Sequence, residues 1–589
     1  MTLKPSKKEL DTLSGDSTSS RHGWGAAILM ALLLFGFAAE AAWQHRVEQG
    51  PEIPAKVVDG SFDLASATQI LERVFGEETS HPAGTAENDQ VREAIVELVR
   101  EWGYEPEIQH CFGTASRWWE EWRDKQVPLE NISFRLRGTA AESDRRTIAI
   151  VSHYDSTPFG PGICDDALGT AVLLEIAKQM AASNPPQNDI LFLITDGEEY
   201  GLLGAREYAK DPEMVESIDM VVNLEARGTR GRSLMFQTSP NNLALIRVLS
   251  ESLPHPATSS LFIEIYKTMP NDTDLTVFLK AGRQGYNFAF VGGGENYHTP
   301  NDDLQHYSRN TFFHQGENAT ELIRALANVP FDRNPVGDAV YFDVWGMRIL
   351  YWPVYVSWMW AVGCGAVFLG LFFVNRRRDE AKRISLVRSL LLTFGNMAIV
   401  FFICLLLVLA LQFDRVSEMV WPQNGVWIVV GIWLAGLSAS LVGRAWLLRD
   451  NDPALGVWGP AGLWVFLAAV SAVFAPGASY LFLSPTTAFM VPLAMMVARP
   501  LCNASFATTL TILVWGVIWL ALEFLFFQAF GLRGLPVLAA RMGLFGSLMF
   551  AFGSGLRRDT ALTHAGVLVT ASMVALGVGI WLCRSELAL

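Results

Sequence analysis

The chain has 589 residues, a formal net charge of −14, 51% hydrophobic residues and a mean hydropathy of +0.25. It is too long for one core and more apolar than an ordinary soluble protein, so part of it belongs in lipid. The acidic balance, with no long Lys/Arg stripe, excludes a nucleic-acid partner, whose phosphates need a basic face.

Residues 1–23 are rich in Ser, Thr and Lys without apolar periodicity and read as a cytoplasmic tail with no core. Residues 24–43 ("WGAAILMALLLFGFAAEAAW") are nearly all apolar and match the ~20 residues that cross a bilayer. They are expected to form a transmembrane helix, with a signal peptide cleaved near the small residues of "AAEAA" as the alternative. Lys4, Lys7, Lys8 and Arg21 precede this run. Positive flanks stay in the cytoplasm, so the segment that follows is expected outside it, in a periplasm or lumen.

Residues 45–347 turn polar and mixed, as in a soluble domain. "TIAIVSHYDS", "DILFLITDGEE", "DMVVNLEARG" and "YNFAFVGGGE" are β-rich runs ending in polar or Gly-rich tips, whereas "NDQVREAIVELVREWG" and "GTAVLLEIAKQMAAS" carry helical apolar spacing. The alternation predicts an α/β domain with its ligand chemistry at the carboxyl ends of the strands. Cys111 and Cys164 read as free thiols, with a pair between them as the alternative in an oxidising compartment. The triplets at Asn131, Asn271, Asn318 and Asn503 have the form of glycosylation acceptors.

Residues 349–583 form a predicted all-α membrane domain of eight spans, at 349–374, 388–412, 425–447, 457–475, 478–498, 506–530, 534–555 and 564–583. "NRRRDEAKR", Arg449, Arg499 and "LRRD" all fall on one face of this arrangement, the cytoplasmic one if the soluble domain is outside. Arg415, Arg533 and Arg584 lie on the other. The spans at 457–475 and 478–498 are separated only by "PG" and could also form one re-entrant hairpin. Glu523 and Arg541 are expected at similar depth below the outer face, either paired or each reaching separately to the headgroups.

The chemistry-bearing residues lie at the ends of the β-rich runs. His153 ends the first, with Asp155 near enough to accept the ring's other N–H, as carboxylates behind metal-bound imidazoles do. "CDDALG" supplies Asp165 and Asp166 before a helix, where an N-cap role for Asp166 is equally open. "TDGEEYGLLG" places Glu198 and Glu199 side by side, "VVNLEARG" carries Glu225, and "GGGENYHTPNDD" carries His298. Two histidines and at least three carboxylates at strand-to-loop junctions are the N/O set suited to hydrolytic zinc.

In order, the motifs HxD, GxxDD, GEExGLLG, NLEA and YHTxxD resemble the co-catalytic di-zinc aminopeptidase family, over about residues 80–310. The expected span arrangement is similar to its membrane branch, the endoplasmic-reticulum metallopeptidases and vacuolar membrane proteases. The resemblance implies a zinc-exopeptidase fold with a mixed central sheet flanked by helices, two Zn2+ per chain and a peptide substrate. It implies Asp165 as the bridging carboxylate, His153 and Glu225 completing one zinc site, and Glu199 and His298 the other. It further implies Glu198 as general base and Tyr297 as a phenol that hydrogen-bonds the oxyanion. Glu225 stands where the soluble aminopeptidases usually have Asp. "PNDTD" resembles the family's cleft-lining loop, although Asp272 could equally be a turn acid. A single-zinc, glutaminyl-cyclase-like acyltransferase and a non-catalytic receptor or scaffold are the competing readings. The bilayer is the other expected partner, and the oligomeric state stays open.

Overall fold

The computed structural model describes residues 49–58, 60–115, 124–269, 271–330, 336–378, 385–413, 426–449, 455–498, 535–554 and 558–586. The expected helix at 24–43, the span at 506–530, Glu523 and Asn503 lie outside these residues. The chain divides into two compact units, one being His45–Val356 and the other including Ser357–Leu589.

The soluble unit runs α1 (Leu64–Phe75), α2 (Ala86–Glu101), β1 (Glu107–Thr114), β2 (Gln126–Leu136), β3 (Thr147–His153), α3 (Leu168–Ala181), β4 (Asp189–Thr195), α4 (Leu203–Ala209), α5 (Pro212–Glu216), β5 (Met220–Ala226) and β6 (Leu234–Thr238). It continues with α6 (Leu243–Ser252), α7 (Ser260–Tyr266), α8 (Asp274–Lys280), β7 (Gln284–Phe290), α9 (Arg309–Asn328), β8 (Ala339–Val344) and β9 (Arg348–Pro353). The first seven strands form one mixed sheet in the order β1-β2-β4-β3-β5-β7-β6. Its inner four strands, β4, β3, β5 and β7, are parallel, and β1, β2 and β6 are antiparallel additions at the edges.

The four parallel strands are buried along their whole length. Alternate residues therefore feed two different cores, which is why these segments read as continuous apolar runs. Ile148, Ile150, Phe192, Val222 and Phe288 pack with residues of α1, α2, α3 and α9, while Ala149, Val151, Leu191 and Val221 pack with residues of α4 and α8. Several helices start on side-chain caps: Asp63 accepts from the Ala65 and Ser66 amides, and Ser308 accepts from Thr311.

One boundary differs from expectation. Residues 348–353, where a span was predicted to begin at 349, form β9, paired antiparallel with β8, and the helix starts only at Val354. "RILYWP" alternates Ile349 and Tyr351 towards the core with Leu350 and Trp352 on the opposite face. A short apolar strand and the start of a span have the same mean hydropathy, so only pairing separates them.

The second unit contains α10 (Val354–Arg378), α11 (Leu386–Phe413), α12 (Val426–Leu447), α13 (Leu455–Phe474), α14 (Tyr480–Ala498), α15 (Leu535–Ser554) and α16 (Arg558–Glu586). Among the described residues, five helices are long and apolar enough to cross a membrane. The "PG" junction is a short 3-10 turn between two separate helices, α13 and α14. Buried polar side chains tie helices together: Asn396 donates to Ser440 Oγ at 2.8 Å and to the Gly546 carbonyl at 2.9 Å, and Trp464 donates to Ser547 at 2.9 Å. With no water available, such contacts satisfy groups that hydrocarbon would leave unpaired.

Candidate metal centre

The parallel register puts His153 opposite Thr195, so the loops leaving β3 and β4 emerge side by side at the carboxyl edge. His153 is buried, and its Nδ1 lies 3.0 Å from the Asp155 carbonyl oxygen. A carbonyl only accepts, so the ring proton is on Nδ1 and the Nε2 lone pair is directed into the cluster. The Asp155 carboxylate stands farther off, at 3.5 Å from Nδ1. It serves chiefly as an acceptor for the Glu198 and Glu199 amides, at 3.0 and 3.1 Å. Asp155 thus orients the histidine through its backbone and the Glu-Glu turn through its side chain.

Asp165 lies in the kinked, non-helical segment just before α3 and offers one oxygen to each histidine. Oδ1 is 3.5 Å from His153 Nε2, and Oδ2 is 3.1 Å from His298 Nε2. Glu225, near the end of β5, brings Oε2 to 3.8 Å from His153 Nε2, while Glu199 Oε1 is 3.0 Å from His298 Nε2. Two groups with metal-ligand geometry result, His153–Asp165–Glu225 and Asp165–Glu199–His298, each with ligand atoms within 4.8 Å of one another. They share Asp165. Its peptide is held from the opposite side by Asp302, whose oxygens accept the Cys164 N–H at 2.7 Å and the Asp165 N–H at 3.3 Å.

The electrostatics call for cations. Burial alone would raise the Asp165 carboxyl, but the nearness and charge of His153 and His298 outweigh it and hold it well below the usual range. Burial and then the charge of Glu198 push the Glu225 carboxyl well up. Burial lowers His298, yet the charge of Glu199 and the Asp165 contact carry it up to about 10. His153 Nε2 is buried with no hydrogen-bond partner while facing two carboxylates. Concentrated acids out of water with an orphaned imidazole nitrogen fit a divalent, N/O-preferring ion in each group.

The remaining predicted residues occupy different places. Glu198 is buried at the same turn as Glu199. The Tyr297 ring stacks on His298, with centroids 3.7 Å apart and planes at 23°. Helix α3 has no side-chain cap, and Asp166 instead lies against Gly169, where a Cβ would come within 2.3 Å of Oδ1. In "PNDTD", Asp272 accepts from Thr276 as a turn acid. Asp274 is the buried member of that loop, accepting from Thr195 at 2.5 Å, with its carboxyl pushed up to about 7 by burial and then by Glu198. Tyr266 escapes sequence reasoning, because a tyrosine inside "SLFIEIY" reads as a packing residue. Its hydroxyl is buried without a hydrogen-bond partner, and burial, followed by the charges of Glu225, Asp272 and Glu198, holds its proton firmly. Cys111 and Cys164 are free thiols. Asn131 and Asn318 are buried, which leaves Asn271 as the accessible acceptor triplet among the described residues.

Residues 131–323 match the model of peptidase family M28. Among curated proteins the chain is similar to endoplasmic reticulum metallopeptidase 1 of Rattus norvegicus, 26% identical over 447 residues, covering 71% of this chain and 48% of the relative. It is also similar to the vacuolar membrane protease of Yarrowia lipolytica, 26% identical over 323 residues, covering 51% and 32% respectively. The chain therefore spans less than half the length of either. A solved zinc aminopeptidase from Bacillus subtilis aligns at 16% identity with a TM-score of 0.38, over 49% of this chain and 99% of its own.

Proposed function

We propose that this chain is a membrane-anchored zinc metallopeptidase with aminopeptidase action, its catalytic domain extracytoplasmic, holding two zinc ions. The observation that carries the reading is the carboxylate of Asp165 shared between two complete three-residue groups. His153, Asp165 and Glu225 would hold one ion, and Asp165, Glu199 and His298 the other. Zinc in these positions supplies Lewis acidity, which polarises a peptide carbonyl and makes water acidic enough to react near neutral pH.

The side chains perform the rest. Glu198, pinned through its amide by Asp155, accepts the proton of the attacking water as the C–O bond forms. It then returns that proton to the amide nitrogen as the C–N bond breaks, so Glu198 ends as it began. The buried hydroxyl of Tyr266 donates to the oxyanion that develops on the carbonyl, and the Tyr297 ring braces His298. Metal analysis of the purified chain together with hydrolysis of free and N-blocked peptides tests the reading. We expect two zinc ions per chain and cleavage of the free peptides only. One ion at full peptidase activity would overturn the shared-carboxylate mechanism.

A further inference from the structure

A ladder of amide side chains crosses the sheet beneath the metal groups. Asn223 of β5 lies opposite Asn287 of β7 in the parallel register, and Asn287 lies opposite Gln237 of β6 on its other side. Both asparagines are buried. Strand side chains alternate, so Val221, Asn223 and Glu225 share one face, the one that packs with α4 and α8. One row lower that face is apolar: Val221 lies opposite Gly285, where a Cβ would come within 2.5 Å of Leu275 in α8. Packing alone would be served by apolar residues in the next row too, because a buried amide costs free energy wherever its polar atoms are not paired. The change to asparagine comes at the level just below Glu225.

The hydrogen bonds of the ladder run in one direction. Asn287 Nδ2 donates to Gln237 Oε1 at 2.9 Å and to Thr273 Oγ1 at 2.7 Å, which uses both of its protons and leaves Oδ1 as the atom turned towards β5. That oxygen accepts from Asn223 Nδ2 at 3.0 Å, and the same NH2 group reaches Glu225 Oε1 at 3.4 Å. With the Asn223 amide reversed, its oxygen would face two acceptors. Asn223 Oδ1 is buried with no hydrogen-bond partner among the described residues, so the two donated bonds set the direction of the amide. Glu225 therefore has one oxygen on the ladder, while the other, Oε2, is the one 3.8 Å from His153 Nε2. A glutamate loses rotamer freedom when it takes up a fixed pose, and a donor behind the ligand selects that pose beforehand. We infer that Asn223 and Asn287 are positioning residues for the group His153–Asp165–Glu225: Asn287 fixes the Asn223 amide, and Asn223 holds Glu225 Oε1 so that Oε2 is the oxygen presented to the ion. Thr273, next to Asp274, shares the Asn287 amide, so one residue ties the cleft loop and the ligand together. The inference rests on the zinc reading above and deepens it.

The test measures zinc binding by the full chain in detergent, against a competing chelator, for the parent and for Asn223→Leu and Asn287→Leu, in which leucine keeps the branched shape and removes the donors. Asn223→Leu should weaken one of the two binding steps about 10- to 100-fold, the usual cost of losing a group behind a ligand, and leave the other within about threefold. Asn287→Leu should weaken the same step. Because Asn287 acts through Asn223, the double variant should lose no more than Asn223→Leu alone. Asn188→Leu is the control, since Asn188 is also buried and bonded, to the Leu326 carbonyl and the Arg146 amide, but belongs to neither metal group. It should lower the melting temperature and leave both affinities as they are; an equal loss of affinity there would assign the effect to any missing buried amide and overturn the relay. Losses that add in the double variant would overturn it too, as would equal weakening of both steps. Should Asn223→Leu not fold, Asn287→Leu, one hydrogen bond removed from Glu225, decides by the same readout. A parent with fewer than two zinc ions would overturn the two-zinc reading and the relay together, whereas a parent with two and unaltered variants would overturn the relay alone.

Discussion

Asp165 has its two oxygens directed at different histidines, and its backbone N–H occupied by Asp302, so it cannot rotate towards one site without abandoning the other. Glu198 contributes differently, since in neither ligand group is it a member. Glu198→Gln should therefore lower kcat by roughly 100- to 10,000-fold, the usual range for a lost general base, and leave the zinc content unchanged. Activity within a few-fold of the parent would place the base elsewhere, and loss of metal would make Glu198 a ligand. On the proposed mechanism, Tyr266→Phe removes a single donor that acts only on developing charge. We expect kcat to fall about 100-fold with KM little altered, as for other oxyanion donors. A change confined to KM would make the tyrosine a wall of the cleft.

At the scale of elements, the parallel arrangement of β3, β4 and β5 delivers His153, the Glu198–Glu199 turn and Glu225 to one edge, and α9 closes the core behind them. That helix carries a pH liability. His314 accepts the Ser233 N–H at Nδ1, 3.2 Å away, and its Nε2 lies 2.7 Å from the His255 carbonyl, so it is neutral when folded. Burial and then the charge of Arg232 push its pKa from 6.5 down to about 3. Unfolded chain therefore takes up a proton below about pH 6.5 that the folded state refuses. The His314 contribution is complete above that pH and is lost as pH falls towards 3, by at most about 1.4 kcal/mol per unit. His314→Gln can accept and donate at the same places and should flatten the fall in stability between pH 6.5 and 4, read by urea unfolding after chelation. An unchanged slope would assign the acid sensitivity to other groups.

At the scale of the whole molecule, orientation in the membrane follows from where cations lie along the chain. A cysteine at Glu142, exposed on the soluble unit, should react with an impermeant thiol reagent from the lumenal or periplasmic side in a Cys111→Ser background. One at Asp379, beside Arg376, Arg377 and Arg378, should react only after the membrane is opened. The reverse pattern would put the active site in the cytoplasm. Positive flanks act during insertion, before tertiary structure exists, which is why a linear pattern bears on this question at all.

Periodicity in the sequence is enough to find the parallel strands, because runs such as "TIAIVSH" and "DILFLIT" are apolar on both faces and end in polar residues. The same local logic finds the apolar helices α10–α16, five of them long and apolar enough to cross a membrane among the described residues, although α10 starts at Val354 and α16 already at Arg558. The acids and histidines of the site are visible for a related reason: charged residues directly after buried strands have few structural uses. What local sequence does not contain is direction. Whether Asp155 faces its histidine by carbonyl or carboxylate, whether Asp272 or Asp274 turns inward, and that Tyr266 buries an unpartnered hydroxyl beside Glu225 all depend on contacts between segments far apart in the chain. The same holds for "RILYWP", which becomes strand and not helix because Tyr341 and its neighbours in β8 are there to pair with it. Apolar pattern and motif order are local properties that the chain carries before folding. Partner choice is decided only when remote groups compete for the same hydrogen bonds and the same buried volume.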